Sequence, residues 1–307
     1  MSHVSVMLPE VLEALAPKDG EVYIDGTFGA GGYTKAILEA ATCSVIAIDR
    51  DDSAIERAKD MAGVTPVHGA FGDVKRHLRD LDIEGVDGFV LDLGVSSMQI
   101  DQADRGFSFN KDGPLDMRMD RSSGEPASEY VNSMDEKDLA DIIWKYGEER
   151  HSRKIAKAIV TARAIAPIET TLQLVEIVSK AMPGSAKKFG INPATRTFQA
   201  LRIYVNGELD QLEDALSASL SILKTGGRLV VVSFHSLEDS IVKAFLREQG
   251  PSQPGSRHMP ATIVVPPKFT QPVKKSIPPS EAECSANPRA RSAKLRWAVR
   301  TEERIAA

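Results

Sequence analysis

The sequence predicts an α/β fold in which a parallel sheet, covered by helices on both faces, is interrupted by a helical insertion. Three observations lead there. Short apolar runs alternate with helical patterns through the first hundred residues, the mark of βαβ units. The alternation then stops, and it resumes near Glu208. With 307 residues, 42% of them hydrophobic, the chain can furnish a core for one large domain or for two.

The runs Val22 to Asp25, Val45 to Asp49, Val64 to Val67 and Phe89 to Leu93 read as strands. Between them, Tyr33 to Ala41, Ser53 to Met61 and Val74 to Leu81 read as helices. Farther on, three sets follow the i, i+3, i+4, i+7 rule: Leu139, Ile142, Ile143 and Tyr146; Ile155, Ala158, Ile159 and Ala162; Leu174, Ile177, Val178 and Ala181. Three such helices can bury one another's apolar faces. Ser133 with Glu136, and Thr170 with Gln173, have capping-box spacing at the starts of the first and third. The expected domains are therefore residues 1–103 with 207–307, and a mostly helical substrate-recognition subdomain over 104–206. Its insertion point is the carboxyl edge of the sheet, where open α/β folds bind ligands. Past it, Leu209, Leu212, Leu216, Leu220 and Leu223 form a helical stripe ending at Gly226-Gly227. The strand-like RLVVVSF and a helix from Leu237 to Arg247 follow, and after a tail rich in proline and basic residues LRWAVRT reads as a last strand.

Composition narrows the function classes. The longest apolar runs, such as Leu229 to Val232, fall far short of the roughly 20 residues that cross a bilayer, so no membrane partner is expected. MSHVSVMLPE lacks a basic n-region followed by an apolar stretch, which gives no sign of secretion and makes a cytoplasmic location the expectation. Cys43 and Cys284 make neither a metal-ligand spacing nor a disulfide framework, and no metal is expected. A net charge of −5 argues against a protein that coats nucleic acid indiscriminately, but the cations are segregated. From Pro251 onward ten basic residues face four glutamates, and Pro183 to Asn206 holds Lys187, Lys188, Arg196 and Arg202 with no acid. That asymmetry permits an anionic partner.

The stretch EVYIDGTFGAGGYTKAILEA carries the chemistry. Gly29, Gly31 and Gly32 follow a strand and open a helix, so the backbone can turn tightly and approach a ligand with no Cβ in the way. The spacing departs from G-x-G-x-x-G. The second strand ends in Asp49, twenty residues after Gly29, where a carboxylate can accept hydrogen bonds from both hydroxyls of a ribose. Dinucleotide and S-adenosylmethionine sites share that position, and the loop alone leaves both open.

The far half of the chain separates them. The segments DGTFGAGG, AIDRD, DLGVSS, RGFSF, DGPLDMRMD, YGEER, NPATRTFQALRIYVN, SFHSLED and NPRARSAKLR closely resemble the RsmH (MraW) family, across nearly the whole length. The resemblance implies a class I (Rossmann-like) methyltransferase sheet. It implies methyl transfer from S-adenosyl-L-methionine to the N4 amine of a cytidine in the decoding region of small-subunit (16S) ribosomal RNA, taken as free RNA or within an assembled 30S subunit. It assigns cofactor contacts to Gly31, Gly32, Tyr33, Asp49, Phe71, Asp92 and Gln99. Tyr33 stands where the family commonly has histidine.

An exocyclic cytosine amine is a poor nucleophile because its lone pair is delocalised into the ring, so positioning should supply most of the rate. The catalytic candidates are Asp92, as acceptor for the amine, and His235 in SFHSLED, a polar or proton-accepting group that serves equally well as a helix cap. A base drawn out of its stack needs an enclosed pocket and contacts to the flanking backbone. Phe107 and Phe109 are candidates for stacking; Arg105, Arg118, Lys187, Lys188, Arg196 and Arg202 are candidates for phosphates. For Arg105 to Asp120 an ordered Ω-loop whose aromatics fill the core is the competing reading. Two rival classes stay open: a dehydrogenase using the same loop, and an RNA-binding protein without catalysis.

Overall fold

The computed structural model describes residues 5–182, 192–251 and 266–301. The chain divides into two compact units, Met1–Gly94 with Leu209–Ala307, and Val95–Glu208. The first half of the first unit runs α1 (Leu8–Leu15), β1 (Val22–Asp25), α2 (Gly32–Ala40), β2 (Ser44–Asp49), α3 (Asp52–Lys59), β3 (Val64–His68), α4 (Val74–Asp80) and β4 (Val86–Asp92). The second unit follows with α5 (Ser97–Asp101), α6 (Ala127–Ser133), α7 (Glu136–Gly147), α8 (Ser152–Arg163), α9 (Thr171–Ala181) and α10 (Thr195–Asn206). The first unit resumes with α11 (Glu208–Ile222), β5 (Leu223–Ser233), α12 (Ser236–Glu248), β6 (Phe269–Thr270), α13 (Glu281–Ala286) and β7 (Lys294–Arg300).

Among the described residues seven strands form one sheet, in the order β3-β2-β1-β4-β5-β7-β6. β1 to β5 pair in parallel, and β7 lies antiparallel between β5 and β6. The strands alternate between two buried faces, as a sheet covered on both sides requires. Ile24, Ile46, Ile48, Phe89, Leu91, Leu229 and Val231 share one core with Leu78 of α4, Leu212 and Leu216 of α11, and Val242 of α12. Their neighbours Tyr23, Val45, Val90, Val230 and Val232 share another with Val11 and Leu15 of α1 and Ile37 of α2. The glycine pair lies inside β5 rather than ahead of it. Between the pairings Val86–Leu223 and Gly88–Arg228 the strand bulges, and Gly226 adopts φ +81° in that bend.

The second unit has its own core: Val131 of α6, Leu139 and Ile143 of α7, Ile155 and Ile159 of α8, Leu174 and Val178 of α9, and Phe198 and Leu201 of α10. All three sets of periodic residues contribute to it. The unit begins at Val95 rather than at 104, because the chain leaves the sheet as soon as β4 ends, and Gln99 falls within it. Thr170 and Gln173 form the expected capping box. Ser133 does not: it is the last residue of α6, its hydroxyl donates to the Glu129 carbonyl, and Asp135 is the N-cap of α7. Among the described residues no helix is long and apolar enough to cross a membrane.

Candidate active site

Three strands end in aspartate at the carboxyl edge of the first unit's sheet: β1 in Asp25, β2 in Asp49 and β4 in Asp92. The glycine loop leads from β1 into α2. Gly29 and Gly31 adopt φ +53° and +78°, where an L side chain is strained, and a Cβ on Gly32 would lie 1.8 Å from Ser5 Oγ. Gly31 is the N-cap of α2 and brings no side-chain cap, so the helix opens with backbone N–H groups able to meet a ligand acceptor. Asp49 pins this loop. Its Oδ2 accepts from the Gly29 N–H at 2.7 Å and its Oδ1 from the Asp51 N–H at 2.8 Å, and the Arg50 N–H donates to the same carboxylate. Burial raises its pKa, against the lowering effect of those N–H donors.

Asp25 is the site residue that sequence reasoning missed. Its side chain is 1% exposed; Oδ1 accepts from the Thr27 N–H at 3.2 Å and Oδ2 from the Thr34 hydroxyl at 2.8 Å. Thr27 in turn accepts the Asp92 N–H on its hydroxyl at 2.7 Å, so Asp25 organises the loop and the end of β4 together. Burial pushes its carboxyl up to about 6, with the Asp49 charge adding a smaller push. The signal was there: an aspartate closing the apolar strand VYI directly before a glycine loop.

Asp92 differs from both. Its Oδ1 is buried with no hydrogen-bond partner among the described residues. Burial, and then the charges of Asp25, Glu238 and Glu283, hold its pKa well above the carboxylate range. A buried acceptor left without a donor beside other acids is a costly arrangement unless a ligand completes it. The donor it calls for is an amine or a cation.

The remaining sequence candidates in this unit also make contacts within the protein. Tyr33 is 3% exposed within the core, and its hydroxyl donates to the Val6 carbonyl, which leaves its backbone as the group the loop can offer. Nearby, the Met7 N–H donates to Glu283 Oε1 at 2.7 Å, tying the N-terminal segment to α13. Phe71 is half-buried against the sheet core. His235 is the N-cap of α12: its Nδ1 accepts from the Glu238 N–H at 3.4 Å, which fixes the other nitrogen as the protonated one in a neutral ring. That Nε2 is buried, 3.1 Å from Glu238 Oε1 but out of hydrogen-bond alignment. Nδ1 thus serves as the cap, and Nε2 has no hydrogen-bond partner among the described residues.

In the second unit, Gln99 is 6% exposed and forms a capping box with Ser96, its carbonyl accepting the Ser96 N–H at 3.1 Å. Most of the arginines expected to hold phosphates hold the protein instead. Arg105 is buried and donates to the carbonyls of Arg118 and Met119 at 3.1 and 2.9 Å. Arg118 grips Asp116 through Nε and Nη2 at 2.7 and 3.2 Å, and its Nη1 donates to the Gly124 carbonyl at 3.0 Å. Arg202 makes a two-pronged pair with Glu208 at 2.8 and 2.9 Å. Phe109 packs edge-on against Phe198, and Phe107 lies half-buried against the same core. The Ω-loop reading therefore accounts for this segment. Arg196 is the exception, 57% exposed on its side chain while donating to the Glu148 carbonyl at 3.0 Å. Lys187 and Lys188 lie outside the described residues.

A dinucleotide domain would continue β4 and β5 into a second mononucleotide half with a parallel sixth strand. Here an antiparallel β7 closes the sheet instead, and together with the glycine loop and the acids at the strand ends this defines a class I methyltransferase. The chain belongs to the MraW methylase family, whose model it matches over residues 1–301. It is 56% identical over 305 residues to the ribosomal RNA small subunit methyltransferase H of Hyphomonas neptunium, covering 97% of this chain and 89% of the relative. To the enzyme of the same name from Azorhizobium caulinodans it is 54% identical, covering 98% and 87%. Among solved structures it is similar to an rRNA methylase from Streptococcus thermophilus, with a TM-score of 0.38 and 12% identity over 96% of this chain and 94% of that one.

Proposed function

We propose that this methyltransferase of small-subunit rRNA, which uses S-adenosylmethionine, modifies the N4 amine of a cytidine in the decoding region, in the cytoplasm, with Asp92 as the group that accepts the amine's hydrogen bond and then its proton. The single observation that carries the reading is the buried, partnerless Oδ1 of Asp92 among neighbouring acids. Burial and the surrounding acids raise its pKa, which makes its carboxylate a stronger base than an exposed one. The acids also suit the cofactor: Asp25, Asp49, Asp92, Glu238 and Glu283 give the recess a negative field, and S-adenosylmethionine carries a sulfonium and an ammonium. When bound, it supplies an electrophilic methyl group. The Asp49 oxygens would take its ribose and the N-terminal N–H groups of α2 its acceptor atoms, while Phe71 is placed to cover an aromatic base. The same field favours exchange of the spent cofactor, which has lost the sulfonium charge.

Attack at carbon 5 of the base would need a cysteine thiolate. Cys43 sits immediately ahead of β2, at the amino end of the strand, and burial pushes its thiol upward, away from the thiolate form. Incubating the enzyme with labelled cofactor and naked RNA, small subunits or whole ribosomes, followed by mass spectrometry of the released nucleosides, tests the reading. N4-methylcytidine formed by wild type and by the Cys43→Ser, Cys284→Ser double variant is the expected result. The appearance of 5-methylcytidine, or activity lost only with the cysteines, overturns it.

A further inference from the structure

With Arg105, Arg118 and Arg202 committed to carbonyls and carboxylates, the second unit's free positive charge lies elsewhere. α8, SRKIAKAIVTAR, contains no acid. Its Ile155, Ala156 and Ile159 face the unit's core. The opposite side is lined by Arg153, Lys154 and Lys157, and Arg150 in the preceding turn extends the line, at the i, i+3, i+4, i+7 spacing of a single helix face. All four are exposed, and among the described residues none of their side chains makes a hydrogen bond or an ion pair. Arg196 adds a fifth cation at the foot of this face, because it donates to the Glu148 carbonyl in the α7–α8 turn. That turn carries two acids: Glu149 is 4% exposed, accepts the His151 N–H at 2.8 Å and pairs with Arg196 at 4.0 Å, while Glu148 is exposed, so the cations with no acid on their own element are Arg153, Lys154 and Lys157 of α8.

We infer that this face of α8 is a docking surface for the phosphodiester backbone of RNA, distinct from the arginines of the Arg105 to Asp120 loop. The inference rests on the rRNA-substrate reading and extends it to a particular surface. Exposed cations are ordinarily neutralised by neighbouring carboxylates on a helix; within α8, Arg153, Lys154 and Lys157 have none, a field suited to a polyanion. At 1.5 Å per residue the line from Arg150 to Lys157 is about 10 Å long, which matches about three phosphates of one strand. None of these side chains supports the core, so removing their charge leaves the fold alone.

The test compares the triple variant Arg153→Gln, Lys154→Gln, Lys157→Gln with a control that removes as much charge from the first unit, Lys75→Gln, Arg76→Gln, Arg79→Gln. Binding to a small-subunit rRNA fragment is titrated by fluorescence anisotropy over a range of salt. The α8 variant should lose about 2 from the log–log salt slope, at roughly 0.7 per single-strand phosphate contact, and at least about tenfold in affinity at moderate salt. Its melting temperature and its affinity for S-adenosylmethionine should match wild type, and the control should keep the wild-type slope. An unchanged slope in the α8 variant, or an equal loss in the control, overturns the proposal. Binding of intact subunits lost while naked RNA binds normally would assign the surface to an acidic protein and overturns it too. If wild type itself does not bind the RNA, the substrate reading falls and takes this one with it.

Discussion

Asp92 in the first unit and Arg118 in the second are both charged side chains drawn out of solvent, and their surroundings could hardly differ more. Arg118 has a carboxylate on two of its donors and a carbonyl on a third. Among the described residues, Asp92 has a buried oxygen with no donor, and further acids raise its pKa. A saturated charge is a structural member, because its desolvation is offset within the protein; an unsaturated one is destabilising until something binds. The difference teaches where to look for function: in the incomplete environment rather than the charged motif.

The strongest way to break that contrast is Asp92→Asn. Turnover should fall by about 10²–10⁴, the range of a general base, while the dissociation constant for S-adenosylmethionine moves less than about tenfold. Single-turnover kinetics beside calorimetry separates the two, and retained turnover would remove Asp92 from proton transfer. Arg118→Ala should do the reverse. Asp116 keeps Arg121 Nε at 3.2 Å, so losing the two charge-assisted bonds from Arg118 should cost about 1–3 kcal/mol, seen as a lower denaturation midpoint, while the salt dependence of RNA binding stays as in wild type.

A subtler effect sharpens the comparison through pH. Asp25 has a folded pKa of about 6, above its unfolded value, so its favourable contribution is complete below the ordinary carboxylate range and is lost as pH rises through about 6. Asp116 runs the other way: although burial opposes it, the hydrogen bonds from Arg118 depress its pKa, so its contribution is present at neutral pH and is lost in acid. Asp25→Asn should therefore stabilise the cofactor-free protein at pH 7 to 8 by roughly 1–3 kcal/mol, with the gain closing as pH falls from about 6 to about 4. Urea titrations across that interval read it directly, and a pH-independent difference would mean that Asp25 acts through hydrogen bonding alone.

What could be read in the sequence was local. Strand and helix periodicity located β1 to β4 and the helices between them, and Thr170 with Gln173 announced its cap because the partners are three residues apart. The commitments of the arginines were harder. Arg105 donates to carbonyls 13 and 14 residues away, and no side-chain pattern records a carbonyl. Arg118 was more legible than it was taken to be, since Asp116 stands two residues before it in LDMRMD. Ser133 misled for the opposite reason: its capping-box spacing is real, but a hydroxyl at a helix end bonds equally well backward to the carbonyl four residues before it.

The bond from the Met7 N–H to Glu283 joins residues 276 positions apart, and Tyr33 anchors to Val6 just beside it. The support behind the glycine loop is thus assembled from the two ends of the polypeptide. During synthesis, β1, the loop and α2 emerge early, yet this clamp cannot close until α13 has been made, after the whole second unit has been translated. Completion of the loop's support is in this sense timed by translation of the second unit, and every nascent chain that ends before Glu283 carries the loop without its clasp.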